Sequence, residues 1–232
     1  VNARRPAPRA LGILGGTFNP PHLGHLAVAR HALDELALDR VLLVPTHTAP
    51  HKSDVRASVA WDPGPQHRLR MCQLAVEGVE GLAVCDIEVE RGGLSYTVDT
   101  LRSIRQSHPD AELTLIVGAD TASTLSSWRE PAQLLELASL AVAARAGAAR
   151  QRVLDALDGI GDEHGVGASA GAPLAGVKAR VRFLEMPTIA VSSSLARERV
   201  ARGEPVEELV GPAVARYIDE HRLYRTGAEA AA

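Results

Sequence analysis

The sequence predicts an α/β fold, a doubly wound parallel sheet with a small C-terminal helical part. Three observations carry that expectation. Six short apolar runs recur along the chain, helical stretches separate them, and the first run ends at paired glycines that lead into a helix. The runs are Leu11 to Leu14, Val41 to Val44, Leu82 to Cys85, Leu113 to Val117, Leu140 to Ala144 and Val181 to Leu184. Helices are expected over Leu23 to Leu36, Gln66 to Val79, Val98 to Ser107, Ala132 to Leu137, Arg150 to Ile160, Ser194 to Arg202 and Pro212 to Glu220. Such a sheet gathers its ligands beyond the carboxyl ends of its strands, where the Gly15-Gly16 turn lies.

Length suits one domain over residues 11–225, with 187–225 as its C-terminal helical part. Residues 1–10 read as a disordered N-terminal extension and 226–232 as a disordered tail. The Gly/Ala-rich stretch 159–176 reads as a flexible insert. Within it, Gly167-Ala168-Ser169-Ala170-Gly171 has the spacing of a hydrolase nucleophile elbow, but the required strand before and helix after are missing from the pattern. No Walker A string and no complete Gly-x-Gly-x-x-Gly fingerprint occurs, which argues against kinase and dehydrogenase chemistry.

A formal net charge of −3 gives no broad attraction for nucleic acid or an acidic membrane. Any phosphate ligand must then be held locally, and no nucleic acid or membrane partner is expected; a homo-oligomer is possible. Cys72 and Cys85 are too few and too far apart for a disulfide framework, so a reducing, cytoplasmic setting is expected.

The segment Gly15-Gly16-Thr17-Phe18-Asn19-Pro20-Pro21-His22-Leu23-Gly24-His25 carries the most chemistry. Glycines let backbone N–H groups approach an anion closely, and the following helix start adds unpaired donors and the positive end of its dipole. His22 and His25, three residues apart on a first helical turn, share a face and suit the oxygens of a transferring phosphoryl group. Two readings compete: a purely structural histidine pair, and half of a zinc site. For zinc, the nearby candidates are His47 and His51, which lie in a Pro/Thr loop.

The complete string resembles the signature of the nucleotidyltransferase superfamily, Gly-Thr-Phe followed by His-x-Gly-His, matched throughout positions 16 to 25. Near the end, Val191-Ser192-Ser193-Ser194-Leu195-Ala196-Arg197 resembles that superfamily's Ile-Ser-Ser-Thr-x-x-Arg segment, with departures at Val191, Ser194 and Ala196. By themselves the serines are natural N-caps and Arg197 an ordinary helix-face cation. The resemblance adds a grip on a triphosphate, and implies a Rossmann-like sheet. It assigns Gly15, Gly16, Thr17, Phe18, His22, His25, Ser192, Ser193, Ser194 and Arg197 to ATP, with His22, His25 and Arg197 catalytic.

The segment Gly93-Leu94-Ser95-Tyr96-Thr97-Val98-Asp99-Thr100-Leu101 narrows the resemblance to bacterial nicotinate mononucleotide adenylyltransferases. The likeness implies that Tyr96 and Thr97, at a helix start, receive a nicotinate carboxylate; Thr97 as a plain N-cap is equally compatible with the local sequence. It also implies that Gly118 and Asp120 border adenosine and that Trp128 stacks on the nicotinate ring, against the plainer reading of Trp128 as a helix-packing residue. Lys52, in Pro50-His51-Lys52, then meets the acceptor phosphate while His51 shapes its loop. Asn19 and Arg145 are further positions near bound nucleotide without a settled role, and an exposed structural Arg fits position 145 as well. The likeness covers Leu11 to Arg225 apart from the insert.

The implied reaction moves AMP from ATP to nicotinate mononucleotide and releases pyrophosphate, in NAD biosynthesis. A phosphate monoester with a second pKa of about 6 is its own nucleophile near neutral pH, so no protein base is required. Mg2+ is expected as a cofactor carried by ATP, with no metal ligand supplied by the protein. The alternatives are nicotinamide mononucleotide or another phosphate ester as acceptor, as in phosphopantetheine adenylyltransferases, and a non-catalytic nucleotide-binding module. His22, His25 and Arg197 argue against the last.

Overall fold

A computed structural model of the chain describes residues 8–50, 61–144, 148–163, 180–186 and 189–225. Its strands are β1 (Ala10–Gly16), β2 (Arg40–Pro45), β3 (Leu82–Val84), β4 (Glu112–Gly118), β5 (Ser139–Ala144) and β6 (Val181–Glu185). They form one sheet in the order β3-β2-β1-β4-β5-β6, the doubly wound, Rossmann-like order expected from the alternation of apolar runs and helices. The helices are α1 (Leu23–Glu35), α2 (Pro65–Val76), α3 (Ile87–Arg91), α4 (Thr97–Ser107), α5 (Ala119–Ala122), α6 (Pro131–Leu137), α7 (Ala148–Glu163), α8 (Ser193–Ala201), α9 (Glu207–Val210) and α10 (Pro212–Glu220). A 3-10 turn spans Leu125–Ser127. Among the described residues no helix is long and apolar enough to cross a membrane.

Three expectations shift at their edges. The first strand does not stop at the paired glycines but runs through Gly16, whose carbonyl accepts from Thr46 N–H at 2.9 Å. The N-terminal extension ends earlier than residue 10: Arg9 and Ala10 N–H both donate to the Asp39 carboxylate, and Ala10 opens β1. The first residues of the 159–176 insert belong to α7, which continues to Glu163; residues 164–176 lie outside the described residues, as do 1–7 and 226–232.

The described residues group into two compact units. The first takes its residues from Val1–Leu14, His31–Val41 and Tyr96–Thr188. In it β1 pairs in parallel with β4, with Leu11 opposite Leu113 and Ile13 opposite Leu115, and β4–β5 and β5–β6 continue the parallel ladder. Buried Leu11, Ile13 and Leu14 in β1, Leu115 and Ile116 in β4, and Leu140 and Ala141 in β5 make these strands apolar on both faces, as a helix-covered parallel sheet requires. Gly12 is needed for close packing: a Cβ there would lie 2.8 Å from Ile116 Cδ1 and Leu38 Cδ1 and 2.9 Å from Val41 Cγ2.

The second unit takes its residues from Gly15–Arg30, Leu42–Ser95 and Ile189–Ala232. Its core joins Met71 of α2 to Ala196 of α8, Leu209 and Val210 of α9, Val214 and Ile218 of α10, and Leu223 and Tyr224. Val214 and Ile218, four residues apart, present one face of α10 to this cluster. The C-terminal helices are thereby packed around α2, in the same unit as the Gly15-Gly16 turn.

Candidate active site

The second unit contains both motifs expected from sequence to handle an anion. His22 occupies the N-cap position of α1, since His25 N–H donates to its carbonyl at 2.9 Å. Two residues into the helix is Gly24, and at its third position His25 turns its ring back so that Nδ1 accepts the His22 N–H at 3.1 Å. An imidazole here plays the part that Glu or Gln plays in a capping box. Because Nδ1 accepts, the neutral His25 ring carries its proton on Nε2, which is left as a donor.

The two rings stack with centroids 3.6 Å apart and planes 25° from parallel, and Phe18 meets His25 edge-on at 4.8 Å. Gly24 permits this arrangement: a Cβ at that position would lie 3.0 Å from His22 Nδ1 and 3.0 Å from Val191 Cγ2. His22 Nδ1 is buried and, among the described residues, has no hydrogen-bond partner. Desolvation lowers the His22 pKa to about 4; burial and then the nearby His22 lower that of His25 to about 3. Both rings are therefore neutral at pH 7, offering N–H dipoles until an anion arrives to favour the charged form.

The helix starts of α1 and α8 meet. Arg197 Nη1 donates to Asn19 O at 2.7 Å, and Ser193 Oγ donates to Pro20 O at 2.8 Å, across 178 and 173 residues of sequence. Arg197 is thus half-buried and bonded, and the plain reading of a solvated helix-face cation does not hold. Ser192 does act as the N-cap, its Oγ accepting from Leu195 N at 3.1 Å while its own proton stays available to donate. Ser194 Oγ accepts from Arg197 Nη2 at 3.2 Å and keeps its own proton to donate. The N–H groups of Ser193 and Ser194, in the first turn of α8, have no intrahelical acceptor and complete a second set of anion donors.

Three residues without an assignment from sequence hold this cradle. Tyr224 OH, buried, donates to Asn19 Oδ1 at 2.7 Å, and Asn19 Nδ2 donates to Trp61 O at 3.4 Å. Arg68 is 1% exposed and donates to Thr17 O, Thr46 O, His47 O and the Asp62 carboxylate. An Arg on the same helical face as Met71 and Cys72, three and four residues on, was the available signal for Arg68; nothing local marks Asp62 or Tyr224. Thr46 and His47 thus act through their backbone, and His47 Nδ1 lies 3.0 Å from Thr48 Oγ1 and 3.2 Å from Gly93 O. Among the described residues no group of three or more His, Cys, Asp or Glu is arranged to hold a metal, and His51, one of the two candidate further ligands, lies outside them.

The first unit holds the residues assigned to acceptor and adenosine. Tyr96, not Thr97, is the N-cap of α4; Thr97 is its first helical residue, and no side chain caps this helix start. Arg129 lies over the Tyr96 ring at 4.8 Å and pairs with Asp99 at 3.4 Å. Trp128 follows the 3-10 turn, half-exposed instead of packed inside a helix, with Nε1 donating to Thr124 Oγ1 at 3.1 Å. Gly118 ends β4 and precedes α5, in which Asp120 is almost fully exposed beside Arg152, 3.4 Å away. Lys52, His51 and Arg145 lie outside the described residues.

The cytidylyltransferase-like family pattern matches residues 13–199. Curated relatives include the "Probable nicotinate-nucleotide adenylyltransferase" of Salinibacter ruber, 37% identical over 93% of this chain and 97% of that protein. The protein of the same description from a Synechococcus species is 39% identical over 94% of this chain and 96% of the relative. Among solved structures, the Plasmodium falciparum nicotinic acid mononucleotide adenylyltransferase complexed with NaAD superposes with a TM-score of 0.66 at 17% identity, covering 93% of this chain and 97% of that one.

Proposed function

The chain belongs to the cytidylyltransferase-like family, and from that premise we infer that it is a nicotinate-nucleotide adenylyltransferase, transferring AMP from ATP to nicotinate mononucleotide in NAD biosynthesis. The observation that carries the chemistry is the junction of two helix starts, tied by Arg197 to Asn19 and by Ser193 to Pro20. Donors converge there from the α1 turn, two neutral imidazoles, a guanidinium and the first turn of α8, which suits a polyphosphate.

An oxygen of the acceptor phosphate attacks the α-phosphorus of ATP in line. A new P–O bond forms, the bond from the α-phosphorus to the bridging oxygen breaks, and pyrophosphate leaves with that electron pair. His22 and His25 present N–H donors to the α-phosphate, where charge gathers in the transition state. The backbone at Gly15, Gly16, Thr17 and Phe18 holds the polyphosphate, and Ser193, Ser194 and Arg197 receive the departing pyrophosphate. Ser192 contributes through the cap that fixes this helix start. ATP would bring Mg2+ with it, which would neutralise charge on its oxygens.

Gly118 and Asp120 are proposed beside adenosine. Tyr96 and Thr97 are proposed at the nicotinate carboxylate, for which an uncapped helix start is suitable, and Trp128 against the ring. Lys52 is proposed at the acceptor phosphate. Cys72 and Cys85 are free thiols, in keeping with a reducing, cytoplasmic setting.

The test is pyrophosphate release from ATP and Mg2+ with a panel of mononucleotides. Nicotinate mononucleotide should turn over fastest. Preference for the amide would overturn the acceptor assignment, and no release with any acceptor would overturn the enzyme.

A further inference from the structure

We propose that Arg68, buried behind the first phosphate turn, is a positioning residue that aims the backbone donors of that turn at the polyphosphate. This rests on the adenylyltransferase reading and adds a residue outside the site motifs.

The geometry is specific to a guanidinium. Nη1 donates to Thr17 O at 2.9 Å and Thr46 O at 2.6 Å, Nη2 to His47 O at 2.8 Å, and Nε to Asp62 Oδ1 at 2.9 Å. One planar fork therefore joins the turn after β1 to the loop after β2, and Asp62 balances its charge. Asp62 Oδ1 also accepts from Gly64 N at 2.9 Å, fixing the entry to α2 on which Arg68 is carried.

The consequence follows from peptide planarity. Thr17 C=O and Phe18 N–H belong to one trans peptide and point in opposite directions. Drawing the carbonyl onto Arg68 turns the Phe18 N–H away from the guanidinium. Phe18 itself has φ +48, a left-handed conformation of the kind that curls successive N–H groups into an anion-binding concavity. A bonded guanidinium behind the turn holds this conformation against relaxation when no ligand is bound. Lysine carries the same charge but, as a compact ammonium on a flexible stem, cannot reproduce the planar fork.

The test uses Arg68→Lys in a Cys85→Ser background, so that Cys72 is the remaining thiol. Cys72 is fully buried four residues further along α2 and reports loosening of that helix through its reaction with a soluble aromatic disulfide. Titration with inorganic pyrophosphate alone should show affinity reduced about tenfold or more, with adenosine affinity held within about threefold and Cys72 as protected as in the parent. Unchanged pyrophosphate affinity would overturn the proposal. So would a reactive Cys72 with both affinities falling, the mark of a merely structural role.

Should Arg68→Lys fail to fold, Asp62→Ala, which frees Nε but leaves the three carbonyl bonds, should weaken pyrophosphate about threefold and leave adenosine unchanged. No effect there would also count against the proposal. Because these titrations need no turnover, they fail independently of the adenylyltransferase reading, which fails if the wild-type chain releases no pyrophosphate from ATP.

Discussion

The turn that carries His22 and His25 is tied to Arg197 by bonds that span the chain, from Arg197 to Asn19, Ser193 to Pro20 and Tyr224 to Asn19, whereas Tyr96 lies under an exposed Arg129 and Trp128 bonds Thr124 four residues away. The first arrangement is half-buried and backed by a guanidinium that is 1% exposed. In the second, Arg129 is half-exposed, and the Asp99, Arg102, Arg129 and Glu130 pairs face solvent, where each adds little rigidity. Donors that act on developing charge must be fixed before reaction, because reorientation during the step costs barrier height. A ring and carboxylate that only dock tolerate adaptable partners. The phosphate-handling region should therefore govern kcat, and the acceptor region KM.

Replacing a phosphate donor is the strongest way to break this contrast. His22→Ala should lower kcat by about 100- to 1,000-fold, the scale of one lost transition-state donor, in a pyrophosphate-release assay under saturating substrates. Thermal unfolding of the variant should remain cooperative. A fall in affinity with kcat unchanged would erase the distinction between the regions.

Gly24→Ala sharpens the same point without removing a functional group. The added Cβ must displace the His22 ring or Val191, and kcat should fall about tenfold with little change in the acceptor KM. In the other region, Trp128→Ala should raise the KM for nicotinate mononucleotide about tenfold and leave kcat within about threefold, as loss of a stacking face predicts. Measured initial rates across acceptor concentrations separate the two parameters.

The smallest effect concerns protons. His22 and His25 have pKa values lowered by burial to about 4 and about 3, below the ordinary 6.5 that the unfolded chain would show. Between those values the unfolded state binds more protons than the folded one. Their contribution to stability is then complete above about pH 6.5 and declines as pH falls toward about 3. Urea midpoints should drop from pH 7 to pH 5, and less steeply in His25→Gln. An NMR titration of the free protein should find neither ring protonating near pH 6.5, while pyrophosphate should move both midpoints upward.

Much of the scaffold was legible in the sequence for a simple reason. Strands of a parallel sheet are buried on both faces, so they stand out as continuous apolar runs, and all six runs are strands. Long amphipathic helices such as α4 and α10 were visible through their spacing. The one-turn elements Ile87–Arg91, Leu125–Ser127 and Glu207–Val210 are too short to show a period, and none of them was expected as a separate element.

The same division runs through the site. The residues of the Gly15–His25 and Ser192–Arg197 strings were readable as candidate anion handlers, because their types and order announce donors at helix starts. What ties them together was not readable. The bonds of Asn19 to Arg197 and Tyr224, and of Arg68 to three carbonyls, join residues that no local pattern connects. Ser192 illustrates the difference within one motif, since its hydroxyl caps α8 while its neighbours bond Pro20 and Arg197.

The central claim is that the starts of α1 and α8 grip one polyphosphate. Amide chemical-shift perturbation during a pyrophosphate titration tests it most directly. Phe18, His25, Ser193 and Ser194 N–H resonances should move together, along curves that share one dissociation constant. Movement at one helix start alone, or at the two with different constants, would contradict it.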